Sequence, residues 1–508
     1  MLCLFSLNGR TAVPSPSPDA LPTELSQYAL EIAANAGASV AQFRIAQHDA
    51  RGVSTRDGHV ENVASDSATA MSVRVVHNGA WGFAATTELT AEAAQDAARR
   101  ALAMAQVSAQ VSREPIHIID EPSYGAVSWT LPIGEDAMAK SDQDIIELLL
   151  DWNASVGASS VVHHVDAHVG IGRDTTFFAD LQSNAITQSR DRISAQLTAI
   201  NVSNDGFEDM RTCAPPAGRG WEYLTGTGWD WESELAQLPD FLAEKVKARS
   251  VEPGTWDLVI DPTNLWLTIH ESVGHATELD RALGHEANYA GTSFATTDKL
   301  GNFQYGSSLM HITGDRIAEH GLSTVGYDDE GVAASQWDLV KDGILVGYQT
   351  DRSTAHHIGL TRSNGCAFAD SALHVPIQRM PNVSLQPGHQ DISTQELISG
   401  VSKGIYIVGD KSWSIDMQRY NFQFTGQRFY EIRNGQIVGQ LKDVVYQSKT
   451  PEFWGSLAAL GGRQTYLLGG ALNCGKGQPG QVAPVSHGCP SALFTGINVL
   501  NGRMEANA

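Results

Sequence analysis

Four of the chain's Asx-Gly dipeptides set the strongest limit on what it can become: Asp57-Gly58, Asn78-Gly79, Asp342-Gly343 and Asn434-Gly435. A two-residue hairpin turn needs positive φ at both central residues, and Asx followed by Gly reaches it at least cost. The second pair lies between Val73 and Val75 on one side and Trp81 and Phe83 on the other. The third lies between Leu339 and Ile344, the fourth between Ile432 and Ile437. Antiparallel hairpins are therefore expected in both halves of the chain.

Helical spacing appears between them. Leu25, Tyr28, Ala29, Ile32 and Ala36 predict a helix from Glu24 that Gly37 ends, and Ala41, Phe43 and Ile45 then alternate as in a half-buried strand. Thr90 is a cap for an Ala-rich helix to about Gln106. A further helix is expected over 136–154 and a strand over 160–170. Pro215, Pro216 and Gly218, followed by the Trp-rich amphipathic stretch 228–247, mark the passage between domains. Trp256–Ile260 reads as a strand that runs into Asp261-Pro262-Thr263, a helix start with Asp at the cap and Pro at the first turn. That helix is expected to reach about Leu283, and Ile405–Val408 is another strand. The 508 residues thus divide into a Pro- and Ser-rich disordered lead-in over 1–22, an N-terminal domain of helices and hairpins over 23–225, and a largely antiparallel β domain over 226–508. The fold class is α+β.

Charge narrows the partners. With 34 Lys+Arg against 57 Asp+Glu the net charge is −23, a surface that repels phosphate backbones and anionic lipid, so neither nucleic acid nor membrane is expected. No apolar stretch approaches bilayer length. The opening MLCLFSLNGR lacks the basic start and long apolar run of a signal peptide, and five scattered cysteines form no disulfide framework. A cytoplasmic setting is expected.

The helix after Asp261 contains His270-Glu271-Ser272-Val273-Gly274-His275, an HExxxH pattern. Histidines five apart are separated by about 140° around a regular α-helix and cannot share an ion. A common metal requires a single π-type turn, and Gly274 is where that distortion is cheapest. Two imidazoles need a third donor to leave one position open for water. Glu278, Asp280 and the glycine-flanked Cys474 are the candidates, and Glu271 is placed as general base. Other patterns are set aside. Gly470–Lys476 matches GxxxxGK, but Gly477 replaces the required Ser/Thr and no helix can follow. His164, Asp166 and His168 share a strand face that solvation explains, and His356-His357 would point to opposite sides of a strand.

The stretch HESVGHATELD followed by Gly291-Thr292-Ser293 resembles the TldD branch of the TldD/PmbA metallopeptidases. Asn473-Cys474-Gly475-Lys476 with Gly477-Gln478 is similar to that family's late cysteine segment. Arg56-Asp57-Gly58, Val73-Arg74-Val75 and Gly79–Phe83 resemble its N-terminal domain, and 328–331 and 342–348 its middle strands. The resemblance implies His270, His275 and Cys474 as zinc ligands, Glu271 as catalytic base, and a cytoplasmic peptidase acting on unfolded or short peptides in an enclosed cavity. It also implies a homologous partner subunit lacking the metal motif, or a homodimer. The same donors leave iron and cobalt open, and the alternative is a binding or scaffold subunit whose metal is structural or absent. Where the family is glycine-rich this chain reads Gly409–Asp416, and the resemblance assigns no role to His487 or Cys489.

Overall fold

The computed structural model describes residues 21–203, 206–477 and 479–505. The lead-in expected over 1–22 lies outside the described residues except for its last two. The four Asx-Gly pairs at 57–58, 78–79, 342–343 and 434–435 are two-residue turns. Their φ angles are +49° and +77°, +53° and +75°, +49° and +79°, and +47° and +76° in chain order. Arg56 faces His59, His77 faces Ala80, Lys341 faces Ile344 and Arg433 faces Gln436 across them.

The first half is one twisted sheet with helices on one face. It contains α1 (Leu25–Asn35), β1 (Val40–Arg56), β2 (His59–His77), β3 (Ala80–Thr86), α2 (Ala91–Val111), β4 (Ala126–Thr130), α3 (Asp142–Gly157), β5 (His164–Asp180), β6 (Ala185–Ser203), β7 (Gly206–Arg211) and α4 (Trp231–Lys247). The strand order is β3-β2-β1-β5-β6-β4, with β7 added on β6. The Thr90 hydroxyl accepts from Ala93 N at the start of α2. α3 starts later than expected because Ser141 and Asp144 form a reciprocal capping box.

Odd-numbered residues of β1, β5 and β6 face the helices. Phe43, Ile45, Phe177 and Ala179 pack against α1 and α2. Val53, Val165, Val169, Ile171, Ile193 and Leu197 pack against α3 and α4, where the rings of Trp152 and Trp231 stack at 4.6 Å. β5 outruns the expected 160–170 because its last seven residues are all buried. The other half of the molecule covers the sheet's second face there, so alternation disappears from the sequence.

That second face is polar. Arg44 pairs with Asp329 at 2.9 Å, Arg74 with Glu330 at 2.7 Å, and the Gln188 side chain bonds to Gly326, and to Tyr327, in the C-terminal half. There β8 (Arg249–Ser250) and β9 (Gly254–Ile260) lead into α5 (Pro262–Ile269). β9 pairs with Lys403–Ile415 and with Ala492–Asn501; Ala492–Asn501 pairs with Val444–Lys449, that strand with Asn421–Arg433, and Asn421–Arg433 with Lys403–Ile415. The five strands close into a ring, antiparallel apart from the β9 pairing with Lys403–Ile415. Every residue of α5 is buried. The Asp261 carboxylate caps it by accepting from Thr263 N, and the Asn264 amide donates to the carbonyls of Gly409 and Thr425. The Tyr446 hydroxyl bridges Asn264 Oδ1 and Thr268 Oγ1, so the helix has a fixed rotation.

Asp174 on β5 is a test of the polar face. Burial would raise its pKa, but Arg192, His48 and Arg190 outweigh burial and hold it well below the usual carboxylate range. A depressed pKa means stability present above about pH 4 and lost below it. Asp174→Asn should lower stability at pH 7 by about 3–5 kcal/mol, since it leaves buried cations unpaired. In urea titrations the gap from wild type should narrow below pH 4; a gap independent of pH would contradict the assignment.

Candidate metal centre

α5 stops as an α-helix at Ile269, earlier than the expected Leu283. Residues 270–274 form a single widened turn in which His275 N–H donates to His270 O, five residues back. A short 3₁₀ segment, His275–Thr277, and one last α turn, Leu279–Ala282, follow. The widened turn is the one the five-residue spacing required. It brings the imidazoles of His270 and His275 to 4.7 Å between ring centroids. Its loosened polar groups are covered from outside: the Gln349 amide donates to Gly274 O and Thr277 Oγ1, Tyr305 OH to Ser272 O, and Trp454 Nε1 to Ser272 Oγ.

Gly274 serves a different purpose from the one expected. Its φ of −51° and ψ of −62° are ordinary right-handed values. What excludes a side chain is space, because a Cβ there would sit 2.5 Å from Met380 Sδ.

Cys474 arrives from Leu467–Lys476, a strand paired with Gln481–Cys489 whose register slips between Ala471 and Cys474. Its Sγ lies 3.6 Å from His275 Nε2, and one donor atom from each of His270, His275 and Cys474 falls within 4.8 Å of the other two. Gly470–Lys476 is extended strand, as the rejection of a phosphate loop requires.

Hydrogen bonds fix which nitrogen of each ring is free. His487 Nδ1 faces the Val383 carbonyl at 2.9 Å, which can only accept, so Nδ1 carries the proton and Nε2 accepts. His270 Nδ1 lies 2.8 Å from that Nε2 and must donate, leaving His270 Nε2 with its lone pair. His275 Nδ1 donates to Glu278 Oε2 at 2.9 Å, leaving its Nε2 facing Cys474. Burial, then the neighbouring histidines, holds His270 well below its usual pKa; burial, then Arg419, takes His275 to about 3, and burial takes His487 to about 4. All three rings are neutral at pH 7. Burial pushes the Cys474 thiol up to about 11.

Glu278 and Asp280, considered as third ligands, are turned the other way. Lys476 Nζ sits 3.0 Å from Glu278 Oε1 and 2.9 Å from Asp280 Oδ1, and Arg281 reaches Glu278 and Glu286. Glu278 thus orients His275 from behind, a role typical of carboxylates around metal-site histidines. The Glu271 carboxylate forms a 2.6 Å ion pair with Arg419; burial raises its pKa and Arg419 opposes the rise. Glu271, both histidines, Cys474, Trp413 and Arg419 border a cavity of about 740 Å³, roofed by His168, Ser194 and Gln196 of the N-terminal sheet.

Sequence reasoning missed His487 and Arg419. His487 had one local signal: it continues the buried alternation Ala483, Val485, Cys489 and is a histidine on an apolar face. His168, read as part of a solvated face, borders the cavity. His356 and His357 lie on a 3₁₀ turn, not a strand, with rings 4.0 Å apart and His117 at 4.8 Å from His356.

Residues 253–501 match the profile described as PmbA/TldA metallopeptidase C-terminal domain, and residues 41–105 that described as PmbA/TldA metallopeptidase domain 1. Over 449 residues the chain is 27% identical to a metalloprotease of Methanothermobacter thermautotrophicus, covering 86% of this chain and 89% of that protein. It is 24% identical over 390 residues to a zinc metalloprotease TldD homolog of Saccharolobus solfataricus, covering 75% and 79%. Among solved structures, TldE from Thermococcus kodakarensis has the same fold, with a TM-score of 0.69 and 14% identity over 94% of this chain and 99% of that one.

The steric reading of Gly274 has a direct test. Gly274→Ala should destabilise the protein by about 1–3 kcal/mol, as overpacking does, and Met380→Ala should relieve part of that penalty in the double variant. Full additivity of the two substitutions in thermal unfolding would show that the two sites do not meet.

Proposed function

The chain belongs to the TldD/PmbA metallopeptidase family, and from that premise we propose that it is a zinc-dependent peptidase cleaving unfolded or short peptides, with His270, His275 and Cys474 as ligands and Glu271 as general base. One observation carries the reading: two imidazole lone pairs and a thiol converge beside a peptide-sized cavity that a buried carboxylate also borders.

The donor set fits the ion. Zinc bonds of about 2.0–2.1 Å to nitrogen and about 2.3 Å to sulfur at a tetrahedral angle separate the two donors by about 3.6 Å. The distance from Cys474 Sγ to His275 Nε2 is 3.6 Å. Two nitrogens and a thiolate suit zinc and leave a fourth position for substrate or water. When bound, the ion would polarise the scissile carbonyl and bring the pKa of water toward 7.

The remaining work falls to the chain. Glu271 takes the proton of the attacking water and passes it to the leaving amine. Arg419 holds the Glu271 carboxylate in place at 2.6 Å. His487 and Glu278 hold the rings by their Nδ1 atoms, so that no ring turns its N–H toward the donor cluster. The cavity walls exclude bulk water from an extended substrate segment.

A structural metal site would need a fourth protein ligand, and the cluster found among the described residues has three members. A second subunit of the same fold without the metal motif, or another copy of this chain, is the proposed partner. A cytoplasmic setting belongs to the same proposal and is supported by the free thiols of Cys213, Cys366, Cys474 and Cys489. No helix among the described residues is long and apolar enough to cross a membrane.

Glu271→Gln should keep the metal and reduce peptide cleavage by about 10²–10⁴-fold; cleavage that survives removes Glu271 as base. Cys474→Ser should lower the bound zinc per chain, and an unchanged stoichiometry would remove it as ligand. His487→Leu deletes the acceptor behind His270 and should weaken zinc affinity by about 10–100-fold in chelator competition. Wild-type affinity in that variant would contradict the orienting role.

A further inference from the structure

A buried charge needs a partner, because burial without one is opposed by the full loss of hydration. Arg190, Arg192, Arg316 and Arg379 strain that rule together, since the first two share Asp174 and the last two have no carboxylate partner among the described residues. All four line one small cavity between β6 and the C-terminal half, walled elsewhere by apolar groups such as Phe368 and Met380. Arg190 is 6%, Arg316 2% and Arg379 1% exposed.

The negative charge within reach is small. Asp174 is paired with Arg192 Nη1 and lies 3.6 Å from Arg190 Nη2. The nearby Asp329 is committed to Arg44. Arg379 directs its two terminal nitrogens at the carbonyls of Gln481 and Cys474 and also reaches the Cys474 thiol, but it meets no carboxylate among the described residues. Among the described residues no carboxylate pairs with Arg316. Arg192 Nη2, Arg316 Nε and Arg379 Nε are all buried without a hydrogen-bond acceptor. Four guanidinium groups therefore border one cavity in which only Arg190 and Arg192 reach a carboxylate, the shared Asp174, in a chain whose overall charge is −23. Burial, then Arg192, lowers the pKa of Arg190 only to about 10, so it does not escape by losing its proton at pH 7.

Size selects what can supply the missing charge. The cavity measures about 10 Å³, which favours one compact monatomic ion over a polyatomic anion. Phosphate, sulfate and a peptide carboxylate are too large. Water would satisfy the idle N–H groups and leave the charge. We infer that this cavity binds one small inorganic anion of the halide class, in the cell chloride, held by Arg190, Arg192, Arg316 and Arg379. The ion would join β6 to Arg379, which in turn holds the carbonyl of Cys474, so its binding couples the two halves of the molecule. The inference stands on the charge balance and does not depend on the peptidase reading.

Crystals of the full chain grown in bromide should give an anomalous peak in this cavity. In solution, protein exchanged into isethionate, an anion too bulky to enter, should melt lower than in chloride or bromide at equal ionic strength. A shift of about 3 °C or more, saturating with halide concentration, is expected on the scale by which ligand binding moves a transition of this size. Arg316→Gln should abolish the saturating shift. Should that variant not fold, the bromide map of the wild-type protein decides alone. An empty cavity in that map, or a melting temperature indifferent to the anion, overturns the inference.

Discussion

Two imidazoles five residues apart on one helix can meet on a single ion only if the backbone hydrogen bond between them spans five residues. The widened turn at 270–274 supplies that bond, from His275 N–H to His270 O. A turn of this kind is intrinsically poor, and its persistence requires that neighbours over-determine it. Gln349, Tyr305 and Trp454 take up the loosened groups, Met380 fills the space that Gly274 leaves, and Asn264, Thr268 and Tyr446 fix the rotation of the helix leading in. Much of the C-terminal core can be read as the support for one irregular turn.

A second layer acts on the rings. Each histidine is gripped at Nδ1, one by His487 and one by Glu278, and each grip is itself anchored, by the Val383 carbonyl and by Lys476 with Arg281. These partners leave one protonation pattern, and it presents lone pairs where Cys474 stands. The N-terminal sheet completes the arrangement. Its helix-covered face is an ordinary core, whereas its polar face meets the C-terminal half through Arg44 and Arg74 and roofs the cavity with His168, Ser194 and Gln196.

What the residues disclosed in advance was local or geometric. The four hairpins follow from turn chemistry at two adjacent positions, the helix starts at Thr90 and Asp261 from caps, and the widened turn from the angular spacing of His270 and His275. The features that stayed hidden depend on distant chain. His487 lies 217 residues from His270 and Arg419 148 residues from Glu271, and neither pairing leaves a spacing to read. The early stop of α5 depends on Gln349 and Tyr305, and the length of β5 on the other half of the molecule covering its second face. Cys474 was one of several donors on the residues alone, and the family resemblance singled it out. The structure turns Glu278 and Asp280 away because Lys476, a neighbour on the cysteine's own strand, claims them.

The central claim is that one ion is held jointly by the widened turn and by the late cysteine. X-ray absorption at the zinc edge of the metal-loaded protein reads that shell directly. The account predicts two nitrogen scatterers at about 2.0–2.1 Å and one sulfur at about 2.3 Å, with a light atom in the fourth position. A shell of nitrogen and oxygen alone, with no sulfur, would contradict it.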